Sequence, residues 1–505
     1  MIRIEALQML LSGFSLALEP ANLLMAAIGA FVGTMVGVLP GLGPTSAIAI
    51  LLPLTAVLSP TKAIIMLAGI YYGAMYGGSS TAILLNIPGE VASVPTCLDG
   101  YPMAQQGRGG PALGIAAIGS FVAGIMGVVA LTFFAPIFAD QALKFGPPEY
   151  FALMLLALTV VISLGGASIS KALAMGFLGY LLSLIGMGTV TNMPRLCFGY
   201  TPLWGGLDVI SVVIGLFAIS EVLNGIEEKK VAISMGNIGS VFPTLNDLRK
   251  SAMSIFRGST LGFFMGLLPG CSPAVTTFLA YDLEKKCSKT PERFGHGAIE
   301  GVAAPESANN ATSSAGFIPL FALGIPASPP LAVLLGGLMI YGLTPGPLLF
   351  EQNADFVWTV IASMFIGNAV CLVLNLPLVG LWAKLTQIPY GILAPVILLI
   401  SIVGTYTIRN NMLDVLVALI FGVLGYFLNK FDWPVVPLII CFILGPVLER
   451  SLLQSFEMAF ENPLIFFQRP ISLTLIVVTG VFLIISIKLR RRTNSRIVSS
   501  GYEEK

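Results

Sequence analysis

Two blocks of this chain share the spacing G-x-L-P-G-x-x-P. The first is Gly37, Leu39, Pro40, Gly41 and Pro44; the second is Gly266, Leu268, Pro269, Gly270 and Pro273. Both fall in the middle of apolar segments, and both are followed by small hydroxyl residues, Thr45 and Ser46 or Thr276 and Thr277. Proline removes an amide donor and glycine permits unusual dihedrals, so each block should break a helix inside the apolar segment. A helix that restarts there presents free N–H groups and the positive end of its dipole. Such an end suits an anion such as a carboxylate. The freed carbonyls suit a hard cation, with Na⁺ near Gly41, Gly270 or Asn309 as the candidate metal positions.

A second pair of blocks follows in the same order. Tyr76, Gly77, Gly78, Ser79, Ser80 and Thr81 lead to Asn86-Ile87-Pro88-Gly89; Asn309, Asn310, Thr312, Ser313 and Ser314 lead to Gly324-Ile325-Pro326-Ala327. Interrupted segments at corresponding positions of two halves point to a transporter site at the bilayer midplane. The competing reading is that Gly and Pro merely allow close helix packing in membranes; two ordered pairs favour the first. The candidate substrate-binding residues are Gly41, Gly43, Thr45, Ser46, Gly78, Ser79, Ser80, Thr81, Asn86, Gly270, Cys271, Ser272, Asn309, Asn310 and Thr312. No arginine lies within either motif, so a fixed Arg–carboxylate clamp is not expected there.

Among the ionisable residues Glu300 and Glu306 stand out, because an acid inside a membrane is costly and is a functional candidate by default. They and Asn310 are the candidate ion-coupling residues. Alternatively, Glu300 lies at the headgroups beside the basic loop, or either acid caps a helix restarting after Pro305. His296 follows a basic run and reads as a solvated loop residue, and Lys171, Asp208 and Glu221 read as span ends.

The elements that must position these groups follow from composition. Of 505 residues, 10% are charged and 56% hydrophobic, too few charges for a surface that faces water. Apolar stretches of about twenty residues recur, enough to cross a ~30 Å hydrocarbon core as helices. The alternation of a transmembrane barrel is absent. Fold class is therefore all-α and polytopic. A net charge of +1 gives no sign of nucleic acid, and six scattered cysteines with one histidine offer no zinc, iron–sulfur or disulfide pattern. No HExxH, no GxxxxGK[ST] phosphate loop and no nucleophile–base pair is evident, so an enzyme and an organic cofactor are not expected; the alternatives to a carrier are a channel or structural membrane subunit, or a membrane-embedded hydrolase using Glu300 and Glu306 as a carboxylate pair. The N-terminal stretch, interrupted by Glu5 and Glu19, reads as mature sequence rather than a cleaved signal.

Candidate membrane segments run near 21–39, 44–58, 61–77, 111–138, 149–166, 168–188 and 207–225. After a polar interval come 258–281, 298–326, 329–350, 356–384, 391–408, 411–428, 433–448 and 471–489. This gives a first membrane half at 1–225, a linker at 226–257, a second half at 258–470, a last transmembrane helix at 471–489 and a basic tail at 490–505. Five Lys or Arg fall between 21 and 225 but nine between 226 and 300. Loops rich in Lys and Arg stay cytoplasmic, so the linker, the 283–296 loop and the C-terminal tail should lie inside. With both flanks cytoplasmic, 258–281 is too short to cross twice as helix. It would enter and leave by one face as a re-entrant hairpin turning at Leu268–Pro273, the alternative being a single span.

At these residues the chain resembles the large membrane subunit of the bacterial tripartite tricarboxylate transporters. The resemblance rests on Gly37–Pro44 with Thr45 and Ser46, on 72–88, on Gly266–Pro273, and on Gly301 to Asn310 through Pro326. It covers about residues 20 to 345. It implies a permease working with a small membrane subunit of about four helices and a periplasmic solute-binding protein, in the bacterial inner membrane. It implies ion-driven uptake of citrate or another carboxylate, with Na⁺ or H⁺ as the coupling ion. By fold analogy it implies two inverted halves moving in an elevator-like way; a homodimer stays open. Cys271-Ser272 departs from the glycine-richer turn expected of the family.

Overall fold

The computed structural model describes residues 2–39, 42–164, 168–188, 192–227, 240–378, 382, 390–460 and 462–500. These are almost entirely helical; a two-residue pairing of Gly186–Met187 with Pro194–Arg195 is the extended structure among them. Seven helices among the described residues are long and apolar enough to cross a membrane. The chain is an all-α, multi-pass membrane protein.

The first hairpin consists of the helices Pro20–Val38 and Pro44–Leu51, each with Pro in its first turn, where the missing amide costs nothing. The 26-residue helix Pro60–Leu85 packs along its first arm. That contact is made by glycines: a methyl group added at Gly29, Gly33 or Gly37 would overlap the carbonyls of Met66, Ile70 and Ala74. In the second half, Leu245–Gly266 and Pro273–Cys287 form a hairpin, and Glu300–Ala315 packs along its first arm. Gly258, Gly262 and Gly266 abut the carbonyls of Ala304, Ala308 and Thr312 in the same register. Small residues let the backbones approach, which is where packing energy between helices in lipid comes from.

Several expectations are corrected here. The second hairpin is longer than 258–281 because its first arm starts at Thr244, whose hydroxyl and Asp247 close a capping box. Polar Arg249, Lys250 and Arg257 hid this helix from a hydropathy reading. Pro305 does not interrupt Glu300–Ala315, so neither acid caps a helix restarting after it. Asn309 and Asn310 therefore lie mid-helix, and the interruptions fall at Gly316 and Gly324. Helices at Ile2–Ala17 and Val94–Gln105 were not anticipated.

By compactness the chain divides into residues 1–143 with 208–430, and residues 144–207 with 431–505. The first unit carries both hairpins. In the second, Pro147–Leu164, Ile169–Ser183, Val435–Met458 and Pro470–Ser500 pack together. Glu149 pairs with Arg469 at 3.1 Å, and Arg195 clasps Glu449 with two guanidinium nitrogens. Lys171 donates to the carbonyl of Phe431 at 2.7 Å.

Candidate functional site

The helix breaks of the two halves match bond for bond. Helix Pro60–Leu85 ends at Asn86, which is left-handed at φ 56°, and helix Phe317–Leu323 ends at Gly324, left-handed at φ 71°. In both, the following Ile amide reaches six residues back: Ile87 N–H to Thr81 O at 3.4 Å, Ile325 N–H to Pro319 O at 3.1 Å. The hairpin tips repeat likewise, with Leu39 N–H donating to Val36 O and Leu268 N–H to Met265 O. Leu42 N–H donates to Leu39 O, and Cys271 N–H to Leu268 O. Each tip rests on the Ile-Pro turn of its own half. Gly89 sits against the Gly37 carbonyl, and Gly270, left-handed at φ 81°, donates its N–H to Ala327 O at 3.0 Å.

This register pairs Tyr71 with Asn309 and Glu90 with Ser328. The contacts between halves obey the same pairing. Tyr71 Oη and Ser328 Oγ lie 3.3 Å apart, and Asn309 Nδ2 donates to Glu90 Oε1 at 3.3 Å. Asp99 accepts the Tyr281 hydroxyl at 2.8 Å, while their counterparts Gly337 and Leu52 touch through the leucine methyl. Residues 91–93 pack on Pro273–Cys287, and Pro329–Ile340 packs on Pro44–Leu51. The contacts between the two breaks are thus reciprocal in sequence register.

Beside these contacts lies a polar interior with few internal partners. Glu306, 1% exposed, receives a hydrogen bond from Thr96 Oγ1 at 2.5 Å through Oε1. Its Oε2 has no hydrogen-bond partner among the described residues; nor do Asn309 Oδ1, Asn310 Oδ1 and Ser93 Oγ. Both amide nitrogens are engaged, Asn309 Nδ2 with Glu90 and Met75 O, Asn310 Nδ2 with Glu306 O at 3.2 Å. The free ends are therefore oxygens, which suit a positively charged or hydrogen-donating ligand. Buried polar atoms normally have partners, so their concentration here marks a site.

The other sequence-derived candidates are distributed as follows. Gly41 lies outside the described residues. Gly43 caps the restarted helix, with open space where a side chain would stand. Thr45 is half-buried beside it. Ser46 Oγ donates to Phe217 O at 3.0 Å. Ser79, Thr81 and Thr312 spend their hydroxyls on helix carbonyls, at Tyr76, Gly78 and Ala308. Gly78 lies under Ser93 and Glu90, Ser80 is buried, and Asn86 is exposed. Gly270 and Ser272 are half-buried at the second tip, where Cys271 is fully covered. Glu300 stands in the first turn of its helix, 3.7 Å from Arg293, apart from Glu306. His296 is exposed in its loop.

Sequence reading missed Glu90, Tyr71, Ser93, Thr96 and Ser328. Glu90 directly follows the Ile87-Pro88-Gly89 turn, and an acid at the end of a membrane-buried break was the signal available for it.

The Tripartite tricarboxylate transporter TctA family matches residues 23–440. A protein of Agrobacterium vitis described as "Uncharacterized 52.8 kDa protein in TAR-I ttuC' 3'region" is 44% identical over 467 residues. That alignment covers 92% of this chain and 93% of the relative. A second from the same organism, "Uncharacterized protein in TAR-II ttuC' 3'region", is 44% identical over 215 residues, covering 43% of this chain and 89% of the relative. No solved structure matches. Both breaks, both hairpin tips and the polar interior fall within the matched span, and the chain belongs to the tripartite tricarboxylate transporter TctA family of membrane transporter subunits.

Proposed function

We propose that this chain is the permease subunit of a binding-protein-dependent secondary transporter. It imports a tricarboxylate or another small carboxylate, driven by a Na⁺ or H⁺ gradient, across the bacterial inner membrane. The observation that supports this most directly is the reciprocal set of contacts beside two matched helix breaks, Tyr71 with Ser328 and Glu90 with Asn309. Two-fold-related halves with broken helices at their interface are the architecture in which alternating access works.

In this reading the halves are inverted in the membrane and move in an elevator-like way, and the C-terminus is cytoplasmic. Restarted helices at Pro44 and Pro273 offer amides to the carboxylate, aided by Gly43, Thr45 and Ser272. Glu306 and Asn310 serve the coupling ion. A small membrane subunit and a periplasmic binding protein complete the assembly.

The test is uptake into proteoliposomes holding all three components, with radiolabelled citrate and a panel of dicarboxylates. Accumulation under an imposed Na⁺ or H⁺ gradient is expected. Uptake that ignores both gradients and requires ATP would overturn the reading.

A further inference from the structure

The matched register places chemically different groups at equivalent positions. On one side, Tyr71 and Ser328 meet as two neutral hydroxyls. On the other, Asn309 meets the carboxylate of Glu90, and Glu306 stands one turn before Asn309 on the same helix. One half-site is neutral and the other acidic.

The acidic half-site gathers Glu90, Glu306, the amides of Asn309 and Asn310, and the hydroxyls of Ser93 and Thr96. The nearby titratable groups are the two carboxyls, the phenols of Tyr71 and Tyr76 and the thiol of Cys97. Among the described residues neither carboxyl has an ion-pair partner. The Glu306 carboxyl, 1% exposed, must be neutralised there by a proton or a bound cation, and the half-buried Glu90 carboxyl stands beside it across Asn309. The unsatisfied atoms, Glu306 Oε2 and the two asparagine Oδ1 atoms, are acceptors that a cation would fill.

From this geometry we propose that Glu90 is an ion-coupling residue. It acts with Glu306 across Asn309 to hold the positive charge, Na⁺ or H⁺, that accompanies the substrate. This rests on the ion-driven reading above and adds a residue from the other half. Because Glu90 belongs to the first half and Glu306 to the second, the cation would bridge both, so its binding would report on how the halves are docked.

The test uses the purified full chain in detergent and follows its melting midpoint. One arm titrates NaCl against choline chloride at pH 8; the other lowers the pH from 8 to 5.5 in choline chloride. If Na⁺ is the ion, Glu90→Gln weakens apparent Na⁺ affinity at least tenfold, and Glu90→Asp restores part of it. If the proton is the ion, Glu90→Gln at pH 8 melts like the native chain at pH 5.5. The exposed Glu457→Gln leaves both titrations unchanged. Native titrations in Glu90→Gln and Glu90→Asp, with loss in Glu306→Gln, would overturn the role of Glu90. A native chain indifferent to both cations would instead overturn the ion-driven reading itself.

Discussion

Asp99 and Tyr281 hydrogen-bond at 2.8 Å between the two halves, and the same Asp99 carboxylate gathers the backbone amides of Gly295, Gly297 and Ala298 at 2.8–2.9 Å. One fully buried side chain thus ties the helix Val94–Gln105 to the outer arm of the second hairpin and to the loop that follows it. The equivalent place in the other half, Gly337 against Leu52, has only packing.

Replacing Asp99 by Ala leaves three amides and a phenol without an acceptor. Unsatisfied buried donors cost roughly 1–3 kcal/mol each before relaxation, so a total loss of roughly 3 kcal/mol or more is expected. Tyr281→Phe removes one bond and should cost about 1 kcal/mol. Melting curves of the purified chain compare the two. Equal midpoints for the variants would show that the amides, not the phenol, had found other partners.

The glycine contacts should tolerate no added methyl. Gly33→Ala and Gly262→Ala drive a Cβ into the carbonyls of Ile70 and Ala308, whereas Gly391 has open space around it. The first two should lower the folded fraction on size exclusion severalfold, and Gly391→Ala should not. A monodisperse, native-yield Gly33→Ala would mean that the two helices can separate at little cost.

Asn86 and Gly324 share the left-handed conformation, which glycine and asparagine accept and a β-branched residue does not. Asn86→Gly should fold and transport, whereas Gly324→Asn accepts the backbone angle but brings a Cβ to 2.9 Å from the Pro345 carbonyl oxygen and should lower the melting midpoint. Gly324→Val should lose roughly 1–2 kcal/mol or more, read as a lowered melting midpoint.

Asn309→Ala and Asn310→Ala should each reduce uptake at least tenfold while membrane abundance, followed by immunoblot, stays native. The first removes the bond to Glu90, the second the bond to the Glu306 carbonyl. Native uptake in both variants would remove these amides from the site.

Asp247 gives a pH signature at the polar start of its helix. Burial pushes its carboxyl up, but hydrogen bonds from Thr244 and the Arg108 guanidinium, 2.6 Å away, outweigh this and hold it below the ordinary aspartate range. A depressed carboxyl stabilises the fold above its unfolded pKa of about 3.9, and that contribution is lost as pH falls through the folded value. Acid melting below about pH 4 should therefore be shallower in Asp247→Asn than in the native chain.

Composition and the recurrence of apolar stretches determined the all-α membrane class, because a chain with so few charges has no other stable solvent. The two G-x-L-P-G-x-x-P blocks fixed where the hairpins turn, since Pro and Gly act through the local backbone alone. The continuity of Glu300–Ala315 through Pro305 was not legible, because only packing against Leu245–Gly266 and Gly109–Ala142 decides whether a proline bends or breaks a helix. The arm beginning at Leu245 was hidden because its polar face is matched by Arg108 and Glu284, far away in sequence. Glu90 opposite Asn309 was equally invisible. Which residues of one half meet which of the other depends on how the helix pairs dock, and no local spacing encodes it.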